Sequence, residues 1–121
     1  MAVRLHALAL DLNTLIAEWQ PEVVAVEEVY FTKNVKTAIG VAQARGVVLE
    51  RSAAVGLPVA EYTPTMVKSQ LTGNGRADKA QVAFMVSKWF TVDSGKLDDE
   101  LDAIAVALCH AMRMGIPEVL R

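Results

Sequence analysis

The sequence predicts an α/β fold, and three observations carry that prediction. Two short runs, Val23-Val24-Ala25-Val26 and Val59-Ala60-Glu61-Tyr62, have the length and β-branching of strands. The longer segments around them repeat apolar residues at helical spacing. One such segment joins the two runs, the kind of crossover that parallel strands require.

The elements follow in order. Leu5, Leu8, Leu12, Leu15, Ile16 and Trp19 mark an amphipathic helix over Ala2–Trp19, stopped by Pro21. The first strand is apolar without alternation, which suits burial on both faces, and it ends abruptly at Glu27-Glu28. Asn34 can cap a second helix running to about Val55. Gly56 suits its C′ position, and Pro58 prevents continuation. Ala38, Gly40, Ala42, Ala44 and Gly46 spread around that helix and permit close approach of another. After the second strand, Thr63 and Pro64 form an N-cap with proline at N1, opening a short helix to Leu71. Val82, Met85, Val86 and Trp89 mark a fourth helix over Ala77–Phe90. A polar loop, Val92–Lys96, precedes a last helix with Leu101, Ile104, Ala105, Leu108 and Met112 on one face. Gly115 and Pro117 end it.

At 121 residues the chain is expected to be a single domain, 1–121, with a core of Val, Leu, Ile and Ala. Hydrophobic residues make up 53%, too many for disorder. The one cysteine, Cys109, lies in an apolar run and reads as a buried, inert thiol. No signal peptide or membrane span is evident, and a cytoplasmic setting is the expectation. The net charge of −2 argues against a nucleic-acid binder until its distribution is considered. Without Asp98, Asp99, Glu100 and Asp102, twelve bases stand against ten acids. If metal ions neutralise that cluster, the remaining surface is mildly basic.

Two parallel strands are too few for a stable sheet, and the first of them reads as central. Upstream strands, or a surface supplied by another chain, are expected beside it.

The carboxylates carry the chemistry. Ligand sites in open parallel sheets lie beyond the C-terminal strand ends, where Glu27 sits. Asp99 and Asp102, three residues apart, project from one face of the last helix. Taken alone, acids at a helix start also cap it and favour its dipole. Three carboxylates brought together would repel, and a hard divalent cation, Mg²⁺ or Mn²⁺, resolves the conflict. Two such ions would activate water and stabilise the leaving oxygen of a phosphodiester.

The stretches Val24-Ala-Val-Glu-Glu-Val-Tyr-Phe-Thr-Lys-Asn34 and Ala42-Gln-Ala-Arg-Gly46 resemble the RuvC family of Holliday-junction (crossover junction) endodeoxyribonucleases. Tyr62-Thr-Pro-Thr-Met-Val-Lys68, Gly73-Asn-Gly-Arg-Ala-Asp-Lys-Ala-Gln-Val82 and Asp99-Glu-Leu-Asp-Ala-Ile-Ala-Val-Ala-Leu-Cys-His110 extend the match in order. The resemblance covers Leu5 to Met114. It implies an RNase H-like fold and a homodimer on four-way DNA junctions. It also implies metal-dependent symmetric nicks in two opposing strands during recombination and repair. Glu27, Asp99 and Asp102 match metal ligands, with Mg²⁺ the expected ion and two per complete site. Asp98 is a near alternative to Asp99, but the three-residue spacing to Asp102 favours Asp99. Tyr30 matches an aromatic position that stacks on unpaired bases, an interaction worth about 1–3 kcal/mol per base. Phe31 is a second candidate. Lys68 and Lys79 match positions that meet scissile-strand phosphates. Helix Asn34–Val55 matches the dimer interface, and a branch-migration complex is an implied partner.

The departure is at the front. The family begins with a strand carrying an aspartate in a Gly-Ile-Asp-Pro-Gly-like motif, followed by two more strands, and no such residues are present here. The expectation is therefore an RNase H-like fold lacking its first three strands, with two parallel strands and about five helices. Asp11 cannot replace the missing aspartate, because it lies on a predicted helix. The chain as it stands is expected to cleave weakly or not at all. Two other readings are a catalytically impaired DNA-binding or dimerisation module and an RNase H-like nuclease for another structured DNA.

Overall fold

The computed structural model describes residues 1–28, 35–91 and 98–115. The elements run α1 (Ala2–Trp19), β1 (Val24–Glu27), α2 (Val35–Ala54), β2 (Val59–Tyr62), α3 (Pro64–Thr72), α4 (Lys79–Ser87) and α5 (Asp98–Arg113). The strands form a two-stranded sheet. The Val24 N–H donates to Pro58 O at 3.0 Å, and the Glu28 N–H to Tyr62 O at 2.8 Å. Both bonds keep one sequence offset in the same direction, so the strands are parallel, as expected.

By their internal contacts the described residues group into two compact units. The first takes in residues 1–24 and 35–60, where α1 packs against α2. Leu5 and Leu8 line a cavity there with Gly40, Val41 and Ala44. A Cβ on Gly40 would meet the Met1 side chain in ordinary van der Waals contact at 3.8 Å. No residue of α1 is fully buried, and Leu15 and Trp19 are exposed. Gln20 closes α1 in the left-handed conformation (φ 47°), one residue before Pro21.

The second unit takes in residues 25–28, 61–91 and 98–115 and holds most of the buried apolar side chains. Its helices α3, α4 and α5 pack on one another around Val67, Leu71, Val82, Val86, Ala105, Val106, Leu108 and Cys109. Cys109 is a buried free thiol, as expected. Burial raises its pKa, and the Arg113 charge opposes that shift.

Several boundaries differ from expectation. The first strand is displaced by one residue, to Val24–Glu27, because the ladder continues to the Glu28 N–H. Glu27 is therefore its last residue. Val24–Val26 are half-buried, not buried on both faces, since β2 is their one hydrogen-bonded neighbour among the described residues. The expected cap of α2, Asn34, lies outside the described residues; the helix starts at Val35 and ends at Ala54, with Gly56 at φ 77°. Helix α3 runs one residue past Leu71, to Thr72. Helix α4 is shorter than Ala77–Phe90 at both ends. Ala77 belongs to the preceding turn, its N–H bonded to Asn74 O at 3.1 Å, and Asp78 takes the N-cap. At the other end, the Trp89 and Phe90 N–H groups converge on Val86 O and close the helix.

Candidate active site

One cavity of about 370 Å³ in the second unit gathers most of the residues singled out above. Glu27 enters from the end of β1, Lys68 from α3, Lys79 from the start of α4 and Asp102 from α5. Pro64, Val67, Ala77, Val82, Ala105 and Val106 supply an apolar floor. Each polar residue is held by local structure. Thr63 accepts a hydrogen bond from the Met66 N–H at 3.0 Å and starts α3, placing Lys68 at its second turn. Asp78 accepts from the Gln81 N–H at 2.8 Å, while the Gln81 side chain accepts from the Asp78 N–H at 2.9 Å. This capping box fixes the first turn of α4, and with it Lys79. The buried face of α5, Ala105 to Cys109, turns Asp102 toward the cavity.

The charge of Asp102 is felt at Glu27. Burial raises the pKa of Glu27, and the charge of Asp102 raises it further. Lys68 acts in the opposite direction. Glu27 remains solvent-exposed as a residue, so its carboxyl is open on one side and desolvated on the other. A carboxylate whose charge is disfavoured by burial and by a second carboxylate is the donor chemistry that a hard cation relieves. Glu27 and Asp102 therefore fit a divalent ion.

Asp99 is placed differently. It is exposed on the first turn of α5 and does not line the cavity. Among the described residues no three Asp, Glu, His or Cys side chains cluster closely enough to hold a metal unaided. Lys79 leans toward the acidic helix start instead, with its Nζ 3.1 Å from Asp98 Oδ2. That hydrogen bond, followed by the charge of Asp102, raises the Lys79 pKa. Tyr30 and Phe31 lie outside the described residues. Sequence reasoning missed Asp78 and the pairing of Asp98. The Asp78-x-x-Gln81 spacing was a usable signal for the first. The second depends on how α4 meets α5 and leaves no local pattern.

The α/β frame, with Glu27 at the end of a parallel strand and Asp102 on the last helix, is that of an RNase H-like fold. A family model described as crossover junction endodeoxyribonuclease RuvC matches residues 1–110. The chain is 48% identical over 111 residues to the crossover junction endodeoxyribonuclease RuvC of Syntrophomonas wolfei, covering 91% of this chain and 64% of that one. It is 50% identical over 109 residues to that of Moorella thermoacetica, covering 89% and 65%. A solved structure of T. thermophilus RuvC in complex with Holliday junction substrate superposes with a TM-score of 0.84 at 36% identity, covering 93% of this chain and 70% of that one. This chain belongs to the RuvC family. It spans about two thirds of the length of these relatives.

Proposed function

We propose that the cavity hydrolyses phosphodiester bonds of four-way junction DNA, nicking two opposing strands symmetrically in recombination and repair. The observation that carries this reading is the facing of Glu27 and Asp102 across one cavity with Lys68 and Lys79 at its walls. Glu27 and Asp102 would hold the cation, with Asp99 joining from one turn away on the same helix. Mg²⁺ is the expected ion, with Mn²⁺ an alternative and two ions the expectation for a complete site. When bound, the ion supplies an activated water and neutralises charge on the leaving oxygen. Lys68 and Lys79 hold the phosphates of the cut strand, and the apolar floor excludes bulk water from one side. Tyr30, with Phe31 as second candidate, would stack on bases opened at the crossover.

A second copy of the chain is the proposed partner, paired through α2. Val35, Ile39 and Val41 are exposed apolar residues on that helix, which supports this reading. Two sites related by a two-fold axis suit symmetric cuts in two strands. Among the described residues no helix is long and apolar enough to cross a membrane.

The test compares synthetic four-way junctions, flaps and plain duplexes with Mg²⁺ or Mn²⁺. Weak metal-dependent nicking, confined to the junction and abolished by Glu27→Gln, is the expected result. Junction binding with no nicking, unchanged in Glu27→Gln, would make the chain a binding or dimerisation module. Equal cutting of flaps would point to another structured DNA.

A further inference from the structure

We infer that Tyr62 is a positioning residue that sets the spacing between Glu27 and Asp102. The inference rests on those two residues serving one site, as proposed above.

Tyr62 is the last residue of β2 and is buried, at 6% exposure. It does not line the cavity. It instead holds both elements that supply the carboxylates. Its main-chain oxygen accepts the Glu28 N–H at 2.8 Å, which anchors the end of β1 immediately after Glu27. Its hydroxyl lies 2.5 Å from His110 Nδ1 on α5. The two rings meet edge to face, with centroids 5.7 Å apart. The Arg113 guanidinium sits 5.6 Å from the Tyr62 ring and adds a second α5 contact. His110 lies eight residues beyond Asp102, about 12 Å along the helix.

The remaining buried contacts of α5, through Ala105, Val106, Leu108 and Cys109, are largely apolar. Apolar contacts are non-directional and tolerate small sliding or rotation of a helix. A phenol–imidazole hydrogen bond does not, because it weakens steeply with distance and angle. A buried hydroxyl also has to keep its partner. Tyr62 thereby fixes the rotation and height of α5 against the strand end that carries Glu27. Asp102 is half-buried near the exposed start of α5, where packing alone holds it least.

Tyr62→Phe keeps the ring and removes the hydroxyl. The control is Leu71→Val, a buried change in α3 that does not line the cavity. Each is measured for Mn²⁺ affinity by calorimetry, amide hydrogen exchange over residues 101–105, and melting temperature. Loss of one neutral hydrogen bond predicts Mn²⁺ binding about three- to tenfold weaker in Tyr62→Phe. Exchange over residues 101–105 should quicken, while junction binding without divalent metal stays unchanged. Leu71→Val should lower the melting temperature and leave Mn²⁺ affinity at the wild-type value. Tyr62→Phe that lowers only the melting temperature, with wild-type Mn²⁺ affinity and exchange, overturns the inference. A wild-type chain that binds no Mn²⁺ refutes the metal-site reading, and exchange over residues 101–105 then decides the role of Tyr62 alone.

Discussion

Replacing Asp78 with alanine removes the acceptor that holds the first turn of α4. The Gln81 N–H, now bonded to Asp78 Oδ1 at 2.8 Å, loses its partner, and the return bond from Gln81 loses its reciprocal. Such an N-cap change costs about 1 kcal/mol. The helix has only nine residues and is anchored by Val82 and Val86, so few other contacts share the loss. At roughly 2.1 cal/mol/K per residue, unfolding 121 residues carries about 0.25 kcal/mol/K of entropy, so the melting temperature should fall by about 4 °C. Asp78→Asn keeps the acceptor, and asparagine caps about as well as aspartate, so it should lose less than half as much. Differential scanning calorimetry at neutral pH reads both. Equal losses in the two variants would show that the charge of Asp78, not its cap, stabilises the helix. A shift under about 1 °C in Asp78→Ala would refute the capping argument.

Three further outcomes follow from the same geometry. Glu27→Gln should raise the melting temperature at pH 7 without metal, because burial and Asp102 make the ionised carboxylate unfavourable in the folded chain. The sign follows from a folded pKa above the unfolded value: ionisation costs stability as pH rises through the carboxylate range. The gain should therefore vanish in scans well below the ordinary glutamate range, where both states are protonated. Gly75→Ala should destabilise by about 1 kcal/mol or more, because overpacking forces shifts. Its Cβ would lie 2.9 Å from Thr65 Cγ2, so chemical denaturation of Gly75→Ala with Thr65→Ser should show partial recovery. Lys79→Met should weaken junction binding and reduce the log–log salt slope by about one, measured by fluorescence anisotropy across a salt series. An unchanged slope would place Lys79 away from phosphates, paired with Asp98 alone.

Local chemistry made much of the fold legible. Thr63-Pro64 announces the start of α3, and glycines at positions 56 and 73 adopt the positive φ that their helix ends require. Glu27 was legible as a strand-end residue from the abrupt switch out of an apolar run. The start of α4 was misread because Ala77 is a good helix former in an apolar-periodic stretch. Its 2% exposure and its bond to Asn74 show that turn packing outweighs propensity there. The Tyr62–His110 bond joins residues 48 apart in sequence, and no local pattern encodes it. The choice between Asp98 and Asp99 failed to anticipate Lys79 for a similar reason. Spacing along α5 says which acids share a face, while the partner of each depends on α4.

The Glu28–Tyr62 bond has a kinetic consequence. It closes a chain excursion of 34 residues, at an entropic cost of about 3 kcal/mol from the length-dependent part alone. The α3–α4 and α4–α5 contacts close shorter excursions and bring α5 back to α3, so this packing can form first and wait for the strand end to return. The carboxylate pair is then a late product of folding. Substitutions in the intervening α2 should delay its appearance in stopped-flow refolding, even where they leave its final geometry untouched.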